Sequence, residues 1–114
     1  MCYGVVDALF ENCNFVNNEV NESCTLGGAL FVPTGSTINI VIKDSLFKDN
    51  RGNNGGAIYL QPTSTKGNLT INNTVFENNK ATYGGAIDIY STTINNVNIN
   101  DCTFKNNTAT SGGA

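Results

Sequence analysis

Phe76-Glu77-Asn78-Asn79-Lys80-Ala81-Thr82-Tyr83-Gly84-Gly85-Ala86-Ile87 is one copy of a unit that recurs along the chain. Its landmarks are a Phe, an Asn three residues later, and a Gly-Gly-Ala-Ile beginning eight residues after the Phe. They return at Phe47, Asn50 and Gly55-Gly56-Ala57-Ile58, and again at Phe104, Asn107 and Gly112-Gly113-Ala114, where the sequence stops. A looser copy lies at Phe15, Asn18 and Gly27-Gly28-Ala29-Leu30, stretched by an insertion between its Phe and its glycines. The glycine pairs start at 27, 55, 84 and 112, in steps of 28, 29 and 28 residues. A fixed period of this length is the signature of a stacked repeat, in which each unit buries its apolar face only against its neighbours.

Between the landmarks the apolar residues alternate. Ile38 to Ile42 is interrupted by Asn39 and Val41, Leu69-Thr70-Ile71 repeats that spacing, and Val97-Asn98-Ile99 repeats it again. Period-2 alternation is the mark of a strand with one buried face. Aligned on the repeat, the inward residues form two series of columns. One holds Leu30, Ile58 and Ile87, with Val32, Leu60 and Ile89 two residues on. The other holds Ala8, Ile40, Leu69 and Val97, with Phe10, Ile42, Ile71 and Ile99 two residues on. Asn39, Thr70, Asp88 and Asn98 are expected to point outward. No segment carries an apolar stripe at helical spacing. Strands that recur once per period, with like residues in line, stack as parallel neighbours about 4.8 Å apart. The expected fold is all-β, a right-handed parallel β-helix of roughly 3.5–4 coils of 28–29 residues with no significant helix. A leucine-rich repeat needs a Leu-x-x-Leu-x-Leu pattern, and a left-handed coil needs hexapeptide spacing; neither is present. Residues 1–114 read as a single β-helical segment, expected to be a piece of a longer repeat protein, since neither end carries a polar cap.

The landmark residues have structural readings. Phe15, Phe47, Phe76 and Phe104 are expected to stack as a core column. Asn18, Asn50, Asn79 and Asn107 are placed at a coil corner, tolerating unusual backbone angles and bonding amide to amide between coils. The competing reading of that column is a polar stripe for sugar. Gly28, Gly56, Gly85 and Gly113, with the glycines before them, supply tight backbone entering a strand; a phosphate-cradling loop would need a following helix. Residues 12, 44, 73 and 101 are Asn, Asp, Asn and Asp, a turn column whose side chains are expected to bond their own backbone.

Chemistry-bearing residues are sparse. Six cations against nine acids give a net charge of −3, with no His, which disfavours a nucleic-acid or anionic-membrane partner. No segment approaches transmembrane length, and Met1-Cys2-Tyr3-Gly4 opens no secretory signal. Cys13 and Cys102 share a slot with Ser45 and Thr74, three coils apart and too distant for a disulfide. Cys2 and Cys24 both fall in the first coil, close enough to pair. The cysteine spacings match no zinc site. Sequons stand at Asn21, Asn68, Asn72 and Asn106. Asp44 and Asp101 share a column but are separated by Asn73, so no acid pair forms on adjacent coils. Asp88, beside Tyr59, is the one strand-body acid facing a surface groove. No catalytic residue, cofactor or metal site is assigned.

Phe-x-x-Asn followed by Gly-Gly-Ala-Ile resembles the paired repeat of the chlamydial polymorphic membrane proteins, over residues 15–114. The Asn/Thr-rich filler also looks like that of adhesin-like surface proteins of methanogenic archaea. The resemblance implies a β-helical passenger displayed extracellularly at the cell surface, non-enzymatic, binding a protein or glycan of a host or neighbouring cell. It names no receptor and no binding residue. The rival expectation is part of a polysaccharide lyase or hydrolase whose catalytic coils lie elsewhere. The open coils are further expected to associate end to end.

Overall fold

A computed structural model describes residues 5–21, 23, 24, 26–35, 37–61, 67–90 and 94–113. The chain winds through four successive coils. The first carries β1 (Val5–Glu11), β2 (Asn14–Val16) and β3 (Leu30–Val32). The second carries β4 (Thr37–Lys43), β5 (Leu46–Lys48) and β6 (Ile58–Leu60). The third carries β7 (Asn68–Asn72), β8 (Val75–Glu77), β9 (Lys80–Tyr83) and β10 (Ile87–Ile89). The fourth carries β11 (Asn96–Asn100), β12 (Thr103–Lys105) and β13 (Thr108–Ser111). No helix occurs among the described residues.

Like strands stack. Two four-stranded sheets run β1-β4-β7-β11 and β2-β5-β8-β12, a three-stranded sheet runs β3-β6-β10, and β9 pairs with β13. Every pairing is parallel. The molecule is a parallel β-solenoid, and its four stacked strand sets are separated by about three full turns. The register follows the repeat alignment residue for residue. Ala8, Ile40, Leu69 and Val97 are mutual partners, as are Phe10, Ile42, Ile71 and Ile99. Leu30, Ile58 and Ile87 form another column, with Val32, Leu60 and Ile89 beside it. A one-residue slip would turn each of these columns to solvent, so the inward pattern pins the register.

The core lies along the axis. Val32, Ile38, Ile42, Phe47, Ile58, Leu60, Leu69, Ile71 and Phe76 have no accessible surface. Burial falls off in the last coil, where the inward residues Val97, Ile99 and Phe104 are 40%, 41% and 37% exposed. Each inner residue is covered by the coils on both sides of it, and the fourth coil is covered from one side only.

Two elements differ from the sequence expectation. The Phe landmarks, expected as a stacked core column with no strand assigned to them, lie in strands: β2, β5, β8 and β12 each centre on their Phe. The segments after Asn79 and Asn107, to which the alternation assigned no strand, form the β9–β13 pair. Three-residue strands carry only one inward side chain, so they leave no alternation to read.

Candidate functional site

The sequence singles out the Phe, Asn and Gly columns, and the structure brings each together as a stack. Phe15, Phe47, Phe76 and Phe104 lie ring over ring, with centroid separations of 4.5, 5.0 and 4.9 Å and interplanar angles of 9°, 10° and 5°. Offset stacking of this kind adds to the area each ring removes from water. Phe10 closes the bottom of the stack edge-on against Phe15 at 5.6 Å.

The asparagines form a continuous amide ladder. Asn50 donates from both its backbone N–H and its Nδ2 to Asn79 Oδ1, each at 3.0 Å. Asn79 donates in the same two ways to Asn107 Oδ1 at 3.0 and 2.9 Å, and Asn18 to Asn50 Oδ1 at 3.0 and 2.9 Å. The second Nδ2 proton goes back one coil: Asn50 to the Phe15 carbonyl, Asn79 to that of Phe47, and Asn107 to that of Phe76. Asn50 and Asn79 are 1% and 0% exposed. Buried amides must be paired, and here each is.

The corner is one residue earlier than the sequence places it. The residues with positive φ are Asn17, Asp49, Asn78 and Asn106, at 56°, 55°, 56° and 54°, immediately before each ladder asparagine. The left-handed turn at the preceding residue swings the ladder side chain inward, so the two roles divide between neighbours. The column Asn12, Asp44, Asn73 and Asp101 is also left-handed, at 53°, 51°, 46° and 52°. The bond seen there joins side chains of adjacent coils, Asn73 Nδ2 to Asp44 Oδ1 at 2.6 Å, in place of the expected bond to local backbone.

The glycine pairs are needed for two reasons. Gly55 and Gly84 have φ of 65° and 53°. Their followers permit close approach: a Cβ on Gly56 would lie 1.9 Å from the Gly85 carbonyl oxygen, and one on Gly85 2.1 Å from that of Gly113. The Cys13–Ser45–Thr74–Cys102 slot has a single rule. Each side chain donates to the carbonyl two residues back, Ser45 to Lys43 at 2.7 Å, Thr74 to Asn72 at 2.9 Å, Cys13 to Glu11 at 3.3 Å and Cys102 to Asn100 at 3.2 Å. Cys13, Cys24 and Cys102 are free thiols, so the structure shows no disulfide at Cys24. Cys2, the partner expected for Cys24, lies outside the described residues.

Because Phe, Asn and Gly are consumed by the fold, chemistry is left to the outer faces. On the β3-β6-β10 sheet, Phe31 stacks on Tyr59 at 5.5 Å, and Asp88 is next in that column. Tyr59 is only 4% exposed although its place in the strand points outward. Burial pushes the Tyr59 phenol above its ordinary value, partly offset by a bond to Asn54. Burial likewise raises the Asp88 carboxyl above 3.8. Asp44 and Asp101 stand two coils apart with Asn73 between them, as the alignment predicts. No group of three metal-ligating side chains occurs among the described residues. Along the β9–β13 sheet runs a cleft of about 250 Å³, lined by Val20, Arg51, Asn53, Lys80, Thr82 and Thr110 among others. The sequence gives no motif for it, since its residues come from different coils.

The model of the Chlamydia polymorphic membrane protein repeat matches the chain three times, over residues 44–61, 73–90 and 101–114. These three stretches are similar to the polymorphic membrane protein repeat. Each match begins at a left-handed Asp or Asn of the turn column and runs through the Phe, the ladder Asn and the glycine pair. The repeat is thus a structural unit, one coil wall of a solenoid. Proteins with this repeat are outer-membrane and surface proteins of adhesin type, and the family is not enzymatic. The curated proteins and the solved structures return no match.

Proposed function

We propose that the chain is a rigid, surface-displayed adhesin-like segment that holds another cell's surface through many weak contacts along its outer faces. The observation that carries the reading is the complete use of the repeat landmarks by the interior. Phe47, Phe76, Asn50 and Asn79 are buried, so repetition extends a rod and presents variable outer residues at fixed spacing. Repeated weak sites on a stiff support gain avidity from effective concentration, with no deep pocket required. The surface location of proteins sharing the repeat supports the same reading.

A polysaccharide-cleaving role would need acids on adjacent coils, and Asp44 and Asp101 are held apart by Asn73. Asp88 stands alone beside Tyr59. The test is adhesion of beads coated with the chain to cultured epithelial cells, with polysaccharide cleavage scored separately. Adhesion that rises steeply with coating density, without cleavage, is expected. Absence of adhesion at any density, or turnover of a polysaccharide by the chain, would defeat the proposal.

A further inference from the structure

The cleft on the β9–β13 face has its own charge order. In two other outward columns opposite charges meet from coil to coil. Lys43 meets Glu11 at 2.9 Å, and Glu77 lies between Lys48 and Lys105 at 3.5 and 3.7 Å. In the cleft column the order is Glu19, Arg51, Lys80 and then Thr108, set by successive parallel bridges. Arg51 has Glu19 at 3.3 Å, but the partners of Lys80 in the ladder are Arg51 and Thr108. Two like charges in adjacent ladder positions repel. Among the described cations Lys80 alone makes no ion pair. Lys80 thus places a cation with no ion-pair partner among the described residues beside this cleft, on a protein of net charge −3.

The rest of the lining is suited to sugar. Thr82 and Thr110 bring exposed hydroxyls, Asn53 an amide and Val20 an apolar wall. No hydrogen bond within the described chain occupies the Thr82 or Thr110 hydroxyl. At about 250 Å³ the cleft falls just below the size of drug-binding pockets, about 300–1,000 Å³. It has room for one sugar unit of a chain that continues along the face. We infer that this cleft binds an acidic glycan, with Arg51 and Lys80 on its carboxylate or sulfate group and Thr82, Thr110 and Asn53 on its hydroxyls. Phosphate on a membrane surface fits less well, because a flat bilayer does not enter a cleft and the chain as a whole is acidic. The inference rests on the surface-contact reading above and names its ligand class.

Calorimetric titration of the chain with three tetrasaccharides tests it: a sulfated heparin-type, an oligogalacturonate and a neutral cellotetraose. Either acidic probe binding at least tenfold more tightly than the neutral one, and weakening between about 50 mM and about 500 mM salt, is the expected result. Which acidic probe binds better distinguishes sulfate from carboxylate. Lys80→Glu should weaken binding at least tenfold and Lys80→Gln several-fold, while Lys48→Gln, on a different face, should not change it. Lys80 is exposed, so both variants should keep the wild-type circular dichroism. Equal binding of the neutral probe, no binding of either acidic one, indifference to Lys80→Glu, or binding only to phosphatidylglycerol vesicles would overturn the assignment. Bead adhesion of the wild-type chain is scored in parallel. Adhesion without acidic-glycan binding defeats the cleft alone, whereas loss of adhesion itself defeats the broader reading.

Discussion

At the residue scale, neighbouring asparagines in one repeat do unlike work. Asn79 is fully buried, and its Oδ1 satisfies two donors of Asn50. Asn79→Ala orphans those donors and the Phe47 carbonyl, so a loss of about 3 kcal/mol is expected from urea unfolding. Asn78 is exposed, with φ of 56°. Asn78→Ala should cost about 1 kcal/mol from backbone strain, and Asn78→Gly much less, because only the left-handed conformation is at stake. Equal effects of Asn78→Ala and Asn78→Gly would show that the Asn78 side chain, and not its backbone, matters. Asp88 makes a pH-dependent prediction. Burial raises its carboxyl pKa in the folded state, so the folded form holds the proton more tightly than the unfolded chain. This group's contribution is fully present below the unfolded value near 3.8 and is lost as pH rises through the raised folded value. Asp88→Asn should therefore stabilise the protein at pH 7, with the gain over wild type shrinking as pH is lowered through that window. Thermal melting of both proteins across pH checks this, and a gain constant with pH would contradict it.

At the element scale, the inner and outer positions of a strand should separate cleanly. Phe76 has no exposed surface and lies between two other rings, so Phe76→Ala should cost about 3–5 kcal/mol. Thr70, on the outward side of β7, should lose about 0.5 kcal/mol or less as Ala. Similar losses in a denaturant titration would contradict the inward assignment. The glycine column makes a sharper comparison, because one substitution meets different neighbours along it. A Cβ at Gly56 or Gly85 would collide with the carbonyl of the next coil, whereas at Gly113 the nearest atom is 3.9 Å away. Gly85→Ala should cost about 1–3 kcal/mol or more, and Gly113→Ala almost nothing. A thermal-shift comparison of the two variants suffices, and a Gly113→Ala loss as large as that of Gly85→Ala would be inconsistent with coil-to-coil contact as the cause.

At the scale of the whole molecule, the solenoid is polar. Every ladder bond points the same way, from the asparagine of one coil to the Oδ1 of the next. Asn107 thus presents donors at one face and Asn18 an acceptor at the other, and the parallel strand edges are complementary in the same sense. Val97, Ile99 and Phe104 are exposed beside them. We propose that the 114-residue chain stacks head to tail as its concentration rises, a heterologous contact that does not close. Sedimentation over a concentration series should show growing species, and Ile99→Lys should reverse the growth. A monomer unchanged across the series would sink the proposal.

The sequence by itself determined the period, the parallel stacking and the members of each long inward column, since a repeated apolar alternation allows one register only. It also determined that Phe meets Phe and Asn meets Asn, because equal steps bring like residues into line. What only the tertiary structure decided are features narrower than the alternation or spread across coils. The left-handed corner falls on Asn78 and not Asn79, and both are asparagine, so composition could not separate a residue chosen for its backbone from one chosen for its amide. The strands around the Phe landmarks are too short to show a period. The cleft between Arg51, Lys80 and Thr110 unites residues 29 and 30 positions apart, which become neighbours only when three coils are wound.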